Sequence, residues 1–260
     1  MLRRARLLVA YDGSAFHGYA INRGVDTVAG ALTDTISLIV RRPVSLVGAG
    51  RTDSGVHGWG QVVSLDLPDA TDLDNLAHRL NRMRGPRIVV RAARWCADPD
   101  FSARFSARWR HYRYDVLNTP APSPFLAATA WHVPHPLNEL LMNLAVDPLI
   151  GEHDFSSFGR RPPTVDGREP SMSRYVFLAR WSQVGPDQPG LLRFEIRANA
   201  FCHQMVRSIV GTLVDVGKGV TSAGEMTAIL RAKDRAAAGA IAPPQGLCLW
   251  EVGYPDTERW

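Results

Sequence analysis

The residues best suited to chemistry lie in one glycine-rich stretch, residues 48–62, which reads GAGRTDSGVHGWGQV. Five of its fifteen residues are glycine, and Arg51, Asp53 and His57 stand between them. Glycine permits positive φ and a close approach of the backbone to another molecule. A tight turn needs one or two glycines, so five of them around an acid and a base predict a loop that grips a ligand and presents Asp53.

The alternative is a purely structural turn in which Arg51 and Asp53 form a surface ion pair, and the local sequence leaves both interpretations open. An apolar run at 44–47 precedes the stretch, and VVSLDL (62–67) follows it with alternating apolar and polar residues. Both flanks are typical of strands, so the stretch is predicted to be a loop between two strands.

A second candidate region alternates arginine with aromatic residues. Residues 101–114 read FSARFSARWRHYRY and contain four arginines. Guanidinium groups neutralise phosphates and aromatic rings stack on unpaired bases, so this pattern predicts contact with RNA. The alternative is a half-buried strand whose arginines face solvent. The basic pair Arg160-Arg161, in a turn-like sequence at 159–163, is a further candidate phosphate contact.

Three other polar residues lie beside apolar sequence. His153 and Asp154 could form a catalytic couple, but next to two phenylalanines we favour capping and packing roles. Arg207 falls in an apolar helix predicted over 202–216, where we expect it to be enclosed. An unpaired buried charge is costly, so Arg207 needs a carboxylate partner, for which Asp53 is one candidate.

Composition describes a soluble globular protein of one large or two smaller domains, with 260 residues, 45% hydrophobic residues and a formal charge of +5. The mild positive charge is compatible with a polyanionic partner. Its three cysteines match neither a disulfide framework nor a metal-ligand spacing, so we expect a reducing, cytoplasmic location and no metal. The apolar run at 7–10 is too short for a signal peptide, and no later run is long enough to span a membrane.

Hydrophobic periodicity predicts the order β-α-β-β-α-β in the first part of the chain and roughly the same order, with insertions, in the later part. The first set comprises a strand at 5–11, a helix from Thr27 to about 40, the two strands around Asp53, a helix that Asp72 or Asp74 opens and Gly85-Pro86 ends, and a strand at 87–95. The second comprises strands at 111–118, 174–183, 191–198 and 247–254 and helices at 137–146, 202–216 and 223–232.

We therefore predict an α+β fold of two ferredoxin-like halves, residues 1–105 and 106–260. They would form a central, mostly antiparallel sheet flanked by helices, with a catalytic cleft between them. The open face of such a sheet can take a nucleic acid.

Six motifs, in order along nearly the whole chain, resemble the tRNA pseudouridine synthase A family. They are YDGSAFHG (11–18), the glycine-rich stretch at 48–62, FSARFSARWRHYRY (101–114), GEHDFSSF (151–158), NAFCHQMVRSIVGTLVDVGKG (199–219) and DRAAAGAIAPPQGLCL (234–249). The resemblance implies a homodimer that binds tRNA across both subunits and uses neither metal nor organic cofactor. It also implies isomerisation of uridine to pseudouridine in the anticodon stem-loop, at tRNA positions 38–40.

The resemblance also assigns roles to individual residues. Asp53 is implied to be the catalytic carboxylate, and Arg51 to fill the space left by the flipped base. Tyr112 is implied to stack on the target uracil, Arg207 to pair with the catalytic aspartate, and Leu247 to line the base pocket. Further RNA contacts are expected from Phe101, Ser102, Ala103, Arg104, Phe105, Arg160 and Arg161.

The implied reaction changes no oxidation state, and one ionised carboxylate suffices, either by attacking C1′ or by removing the C2′ proton. The chain departs from the family pattern at 19–22, where Tyr-Ala-Ile-Asn replaces a tryptophan and glutamines, and also at Ala29 and Gly58. These departures bear on the choice of uridine. Two alternatives are the same chemistry on another RNA or in a specialised pathway, and a catalytically silent RNA-binding protein. An N-glycoside hydrolase is disfavoured because no second carboxylate stands at an evident spacing.

Overall fold

The computed structural model describes residues 1–161, 167 and 169–255. In this part of the chain the helices are α1 (Val28–Val40), α2 (Leu73–Arg84), α3 (Glu139–Val146), α4 (Met205–Gly217) and α5 (Glu225–Ala232). The strands are β1 (Leu2–Tyr11), β2 (Val47–Gly48), β3 (His57–Pro68), β4 (Ile88–Trp95), β5 (Trp109–Leu117), β6 (Trp131–His132), β7 (Gly151–Asp154), β8 (Ser173–Gln183), β9 (Leu191–Ala198) and β10 (Leu247–Gly253). None of the described helices is long and apolar enough to cross a membrane.

The fold is mixed α+β, and the chain divides into two compact units. The first unit comprises Met1–Arg110 together with the chain from Cys248 onward, and the second comprises His111–Leu247. The predicted domain division after residue 105 stays a prediction.

The first unit is built on a sheet with the strand order β4-β1-β3-β10, and β2 pairs with β3. β1 lies antiparallel to both β3 and β4, whereas β10 runs parallel to β3. Alternate residues of β1 are apolar and buried on one face, where α1 and α2 cover them. The core of this unit includes Leu7, Val9, Leu32, Ile36, Val63, Leu65, Leu76 and Leu80.

Strand β3 begins earlier than the sequence predicts, so the prediction of a loop as far as residue 62 is wrong. Gly58 and Gly60 lie in the strand and are needed for close packing rather than for a turn. A Cβ atom on Gly58 would lie 2.5 Å from the Tyr11 ring, and one on Gly60 would lie 2.2 Å from the Trp250 carbonyl oxygen. The loop around Asp53 therefore covers only residues 49–56.

The second unit contains a sheet with the strand order β5-β9-β8-β7, and the short β6 runs parallel to β5. β8 is antiparallel to both β7 and β9. Trp181 of β8 and Phe194 of β9 are buried on one face, with ring centroids 5.2 Å apart. Glu195, the next residue of β9, contacts arginines from β5 and β8, which defines the opposite face.

The strongly periodic elements predicted from the sequence are confirmed, and the structure also shows what begins them. The Thr27 hydroxyl accepts a hydrogen bond from the Gly30 amide at 3.2 Å, which caps α1. Asp72, rather than Asp74, caps α2 by accepting from the Asn75 amide at 3.0 Å. α4 begins at Met205 instead of 202 because Gln204 has φ 64°, outside the right-handed helical region.

Candidate functional site

Asp53 lies in the loop between β2 and β3 of the first unit. Asp53 is half-buried, while the nearby Arg51 and Ser54 are exposed. The Val56 amide donates a hydrogen bond to the Asp53 carbonyl oxygen at 3.1 Å, and Gly55 has φ 79°. Asp53 thus opens a tight turn whose third residue has the positive φ that favours glycine. The turn thus places Asp53 at a half-buried position.

The backbone that enters this loop is fixed by Gln61, which is fully buried. The Gln61 side-chain amide donates to the Gly50 carbonyl oxygen at 2.7 Å and accepts from the Gly50 amide at 3.3 Å. Arg110 adds a hydrogen bond from Nη2 to the Ala49 carbonyl oxygen at 3.0 Å. Two side chains therefore hold the residues directly before Arg51.

Thr52, between Arg51 and Asp53, is held by Tyr11 of the YDGSAFHG motif and by Tyr19, the residue after that motif. The Tyr11 and Thr52 hydroxyls are 2.8 Å apart and buried, and the Tyr19 amide donates to the Thr52 carbonyl oxygen at 3.0 Å. On the other side of Asp53, the Ser54 hydroxyl donates to the Phe16 carbonyl oxygen at 3.1 Å. The loop is consequently anchored on both sides of the carboxylate.

The end of the loop packs against the turn that follows β1. A Cβ atom on Gly13 would lie 2.0 Å from the Val56 carbonyl oxygen, so only glycine fits there. His57 Nδ1 lies 3.2 Å from both the Gly13 amide nitrogen and the Asp12 carboxylate. Burial raises the pKa of Asp12, but hydrogen bonds from Ser14 and the nearby His57 outweigh it, and the net pKa is lowered. The turn that contains Asp12 and Gly13 thus supports the end of the Asp53 loop.

Tyr19, one of the departures from the family pattern, contributes to the same anchoring. Its ring is buried. A Cβ atom on Gly48 would lie 2.2 Å from the Tyr19 hydroxyl oxygen, so the ring packs directly against the Gly48 backbone. Burial raises the pKa of this phenol. The departure at this position therefore affects the packing beneath the loop.

The predicted RNA-contact segment 101–105 divides into buried and exposed residues. Phe101 and Ala103 belong to the core, and the Ala103 carbonyl oxygen accepts a hydrogen bond from Tyr254 at 2.7 Å. Arg104 and Phe105 are exposed, the latter by 79%. Ser102 is half-buried, and its hydroxyl accepts from the Phe105 amide at 3.4 Å. Arg104 and Phe105 are thus the solvent-exposed residues of this segment, and the predicted RNA contacts of all five residues stay predictions.

Tyr112 and Leu247 belong to the second unit, and both are largely buried, at 8% and 6% exposure. The Tyr112 ring meets Phe201 edge to face, with centroids 4.9 Å apart and planes at 83°. Such aromatic pairs are favourable and fix the ring orientation. The stacking role predicted for Tyr112 stays a prediction.

Arg207 lies in the first turn of α4 and is tied to the segment before β10. Its Nε donates to the Ala242 carbonyl oxygen at 2.7 Å, and the Ala242 amide donates to the Arg207 carbonyl oxygen at 3.0 Å. The neighbouring Tyr114 hydroxyl donates to the Pro243 carbonyl oxygen at 2.8 Å. Burial raises the pKa of Tyr114, and the Arg207 charge partly opposes this. The predicted pairing of Arg207 with Asp53 stays a prediction.

Arg160 and Arg161 are exposed and line a cavity of about 480 Å³ together with Lys233 and Arg235. Arg161 Nη1 lies 2.7 Å from the Glu169 carboxylate. Residues 162 and 163, which the sequence places in the same basic loop, lie outside the described residues.

His153 and Asp154 have the capping and packing contacts that the sequence favoured. The Asp154 carboxylate accepts from the Ser156 amide at 2.9 Å and from its hydroxyl at 2.6 Å, and His153 Nε2 lies 2.9 Å from the Ile150 carbonyl oxygen. Among the described residues, no group of three or more His, Cys, Asp or Glu side chains is arranged to hold a metal ion.

Comparison with known proteins is informative over the whole chain. Residues 145–255 match a family model described as tRNA pseudouridine synthase. The "tRNA pseudouridine synthase A" of Gluconobacter oxydans is 38% identical over 260 residues, which cover 98% of this chain and 91% of that protein. The protein of the same name from Geobacillus kaustophilus is 38% identical over 258 residues (98% and 96%), and that from Corynebacterium glutamicum is 37% identical over 270 residues (98% and 91%). The chain therefore belongs to the tRNA pseudouridine synthase A family.

Proposed function

We propose that this protein isomerises uridine to pseudouridine in tRNA, on the 3′ side of the anticodon stem-loop at tRNA positions 38–40. The observation that carries the proposal is the Asp53 loop. This loop carries the half-buried Asp53 beside the exposed Arg51, and hydrogen bonds from Gln61, Tyr11 and Tyr19 anchor it. Family membership over nearly the full chain supports the same activity.

The chemistry needs one carboxylate and no change of oxidation state. The C1′–N1 bond of uridine breaks, a bond forms between C1′ and C5, the proton at C5 leaves, and N1 gains a proton. We propose that Asp53 starts this sequence, either by attacking C1′ or by removing the C2′ proton. A rigid loop suits this role because a positioned group avoids an entropic cost in the transition state.

The target base must leave its stack before it reacts, which costs a few kcal/mol. We propose that Arg51, exposed next to Asp53, occupies the space left by the base. Tyr112 would receive the uracil by stacking, and Leu247 would line its pocket. Arg207 would serve as the cationic partner of the catalytic carboxylate.

The rest of the proposed assembly follows the family. We propose that both halves are ferredoxin-like, which the β4-β1-β3-β2 neighbours of the first unit and its β-α-β-β-α-β element order support. A cytoplasmic homodimer would bind the tRNA, with further contacts from Arg104, Phe105, Arg160 and Arg161. Neither a metal nor an organic cofactor is part of the proposal.

The test uses an unmodified tRNA transcript labelled with tritium at uracil C5. Isomerisation releases the label, and chemical adducts read by primer extension then locate each pseudouridine. We expect release that maps to positions 38–40. Release that maps elsewhere would favour the same chemistry on a different site or RNA, and binding without release would indicate a catalytically silent RNA-binding protein.

A further inference from the structure

One basic stretch of the first unit has no role in the site described above. Residues 75–97 contain six arginines, at positions 79, 82, 84, 87, 91 and 94, and neither aspartate nor glutamate. The whole chain has 30 basic and 25 acidic residues, so such a segregation of charge is unusual for it. We call the surface formed by these six residues the arginine edge.

The arginine edge follows α2 and β4, and β4 is the terminal strand of its sheet. Five of the arginines are exposed, and only Arg84 is half-buried, donating through Nε to the Thr35 hydroxyl. Arg79 and Arg82 lie one turn apart on α2, where side chains three residues apart are neighbours. Arg87 lies in the turn between the two elements, while Arg91 and Arg94 project from β4. The positive charge thus continues around the edge of the sheet from the helix to the strand.

Four of these six arginines have no ion-pair partner in the part of the chain that the structure describes. Among the described residues, Arg79, Arg82, Arg87 and Arg91 form no salt bridge within 4.0 Å. The Asp12 carboxylate is close enough to Arg87 for that charge to help lower its pKa, but it does not reach ion-pair distance. Like charges concentrated in this way repel one another and favour a polyanionic ligand.

Protection of the exposed strand does not explain six arginines. Charged residues do discourage edge strands from pairing with other chains. Here Asn81 of α2 already occupies the edge, because its side chain donates to the Val90 carbonyl oxygen at 3.0 Å and accepts from the Val90 amide at 2.7 Å. A register shift between Leu8 and Val9 also leaves Arg91 as an extra residue in β4, and such a bulge disrupts pairing further.

The bulge directs Arg91 towards two tryptophans. Its guanidinium carbon lies 3.9 Å from the Trp59 ring centroid, and Nη1 donates to the Trp59 carbonyl oxygen at 3.0 Å. Trp59 stacks on Trp250 with centroids 5.7 Å apart and planes at 18°, yet remains 44% exposed. An arginine stacked on an exposed aromatic surface suits contact with sugars and bases beside phosphates.

We propose that the arginine edge binds the sugar–phosphate backbone of RNA, outside the residues around Asp53. The inference rests on the proposed function, because it takes tRNA as the substrate and identifies a second surface that holds it. Phosphate contacts supply affinity and register without reading sequence. The edge would therefore hold tRNA in position whichever uridine is modified.

The test measures tRNA binding by the Asp53→Asn protein as a function of salt concentration, so turnover does not interfere. Two double variants are compared, Arg79→Gln/Arg82→Gln at the edge and Arg42→Gln/Arg231→Gln as a charge-matched control on exposed residues elsewhere. Each lost phosphate contact lowers the slope of log K against log salt by about one. In the edge variant, we expect the slope of log K against log salt to become shallower by about two and the affinity for tRNA to fall about tenfold or more. In the control variant, both quantities should change little. Circular dichroism and thermal unfolding would verify that both variants are folded.

Equal slopes in the edge variant, the control and the parent would overturn the proposal. A failure of the proposed function gives a different result, since tritium release from wild-type protein is then absent whatever the slopes show. If the parent itself does not bind tRNA, both the proposed function and the arginine edge as an RNA-binding surface are contradicted.

Discussion

The two arginine-rich surfaces of this protein differ in what neutralises them. In the second unit, Arg113 and Arg180 each lie 2.9 Å from the buried carboxylate of Glu195. Arg193 makes two hydrogen bonds of 2.8 Å to the Asp115 carboxylate. The exposed arginines on α2 and in the following turn of the first unit have no such partner among the described residues.

The difference shows that counting arginines does not identify an RNA contact. The motif at 101–114 predicts contact with RNA because it alternates arginine with aromatic residues. Within it, Arg110 is committed to the carbonyl oxygens of Ala49 and Arg104, and Arg113 to Glu195. In the less conspicuous stretch at 75–97, Arg79, Arg82, Arg87 and Arg91 form no salt bridge within 4.0 Å with any described residue. The presence of acidic partners in space separates a structural arginine from one available to phosphate, and the motif does not contain that information.

The largest effect is expected from removing the carboxylate that neutralises the second surface. Glu195→Gln leaves Arg113 and Arg180 close together without their shared anion. Because charged groups in partly buried pairs lose their compensation, we expect a loss of about 2 kcal/mol in the free energy of unfolding. Urea denaturation would measure it, with the exposed Glu251→Gln as the matched control. An unchanged midpoint would mean that Glu195 is not what stabilises this surface.

A second effect, which depends on pH, is expected from His111. Burial lowers its pKa from 6.5 to about 4, and the Glu195 charge opposes this. The unfolded chain therefore binds a proton that the folded protein excludes, so stability falls as the pH drops from about 6.5 to about 4. His111→Gln should flatten the stability profile in that window.

Glu195 contributes in a separate pH range. Burial raises its pKa, but the Arg180 hydrogen bond and the Arg113 charge outweigh burial, and the pKa lies below its ordinary 4.5. Its stabilisation is present above 4.5 and is lost as the pH falls further through the folded-state pKa. Acid sensitivity below 4.5 should therefore survive in His111→Gln. A profile of that variant identical to wild type from pH 7 to 4 would contradict the role given to His111.

The comparison can be sharpened by giving the arginine edge an acidic partner. Asn75 is exposed on α2, four residues before Arg79. In Asn75→Glu, the new carboxylate should pair with Arg79 and stabilise the helix by about 0.3 kcal/mol. It should also weaken tRNA binding several-fold and lower the salt slope by about one, which filter binding at several salt concentrations would measure. Asn75→Gln is the control. Unchanged affinity in the Glu variant would indicate that Arg79 does not contact RNA.

The smallest effect is expected from Arg180→Gln in the second unit. The Arg180 side chain is 60% exposed, and exposed ion pairs contribute little, so the stability loss should be about 0.5 kcal/mol. Because Glu195 already neutralises this arginine, tRNA affinity should stay the same. A loss of affinity as large as that of the Arg79→Gln/Arg82→Gln variant would remove the distinction between the two surfaces.

Much of the architecture follows from sequence because the elements are strongly periodic. α1 and α2 have buried apolar faces and side-chain caps, so their ends are predictable to within a residue or two. The start of α4 was missed because nothing in the sequence marks the left-handed Gln204. Likewise, Gly58 and Gly60 resemble loop glycines until the Tyr11 ring and the Trp250 backbone are placed against them.

The candidate site was predictable as a set of motifs but not as a structure. Asp53 stands out because a carboxylate among five glycines is conspicuous. The role of Gln61 is invisible, since a glutamine in a strand gives no indication that its amide holds Gly50 by two hydrogen bonds. Tyr11, Tyr19 and Arg110 were missed for the same reason, because their partners in the Asp53 loop are distant in sequence.

The role of the Asp53 carboxylate is tested most directly by tritium release from C5-labelled tRNA with wild-type protein and Asp53→Asn. Asparagine keeps the size of the side chain and removes its charge, so the anchored loop should be preserved. We predict release by wild type alone, with the variant reduced at least about a thousandfold while its affinity for tRNA stays within about threefold. Release by Asp53→Asn within about tenfold of wild type would contradict a catalytic role for this carboxylate.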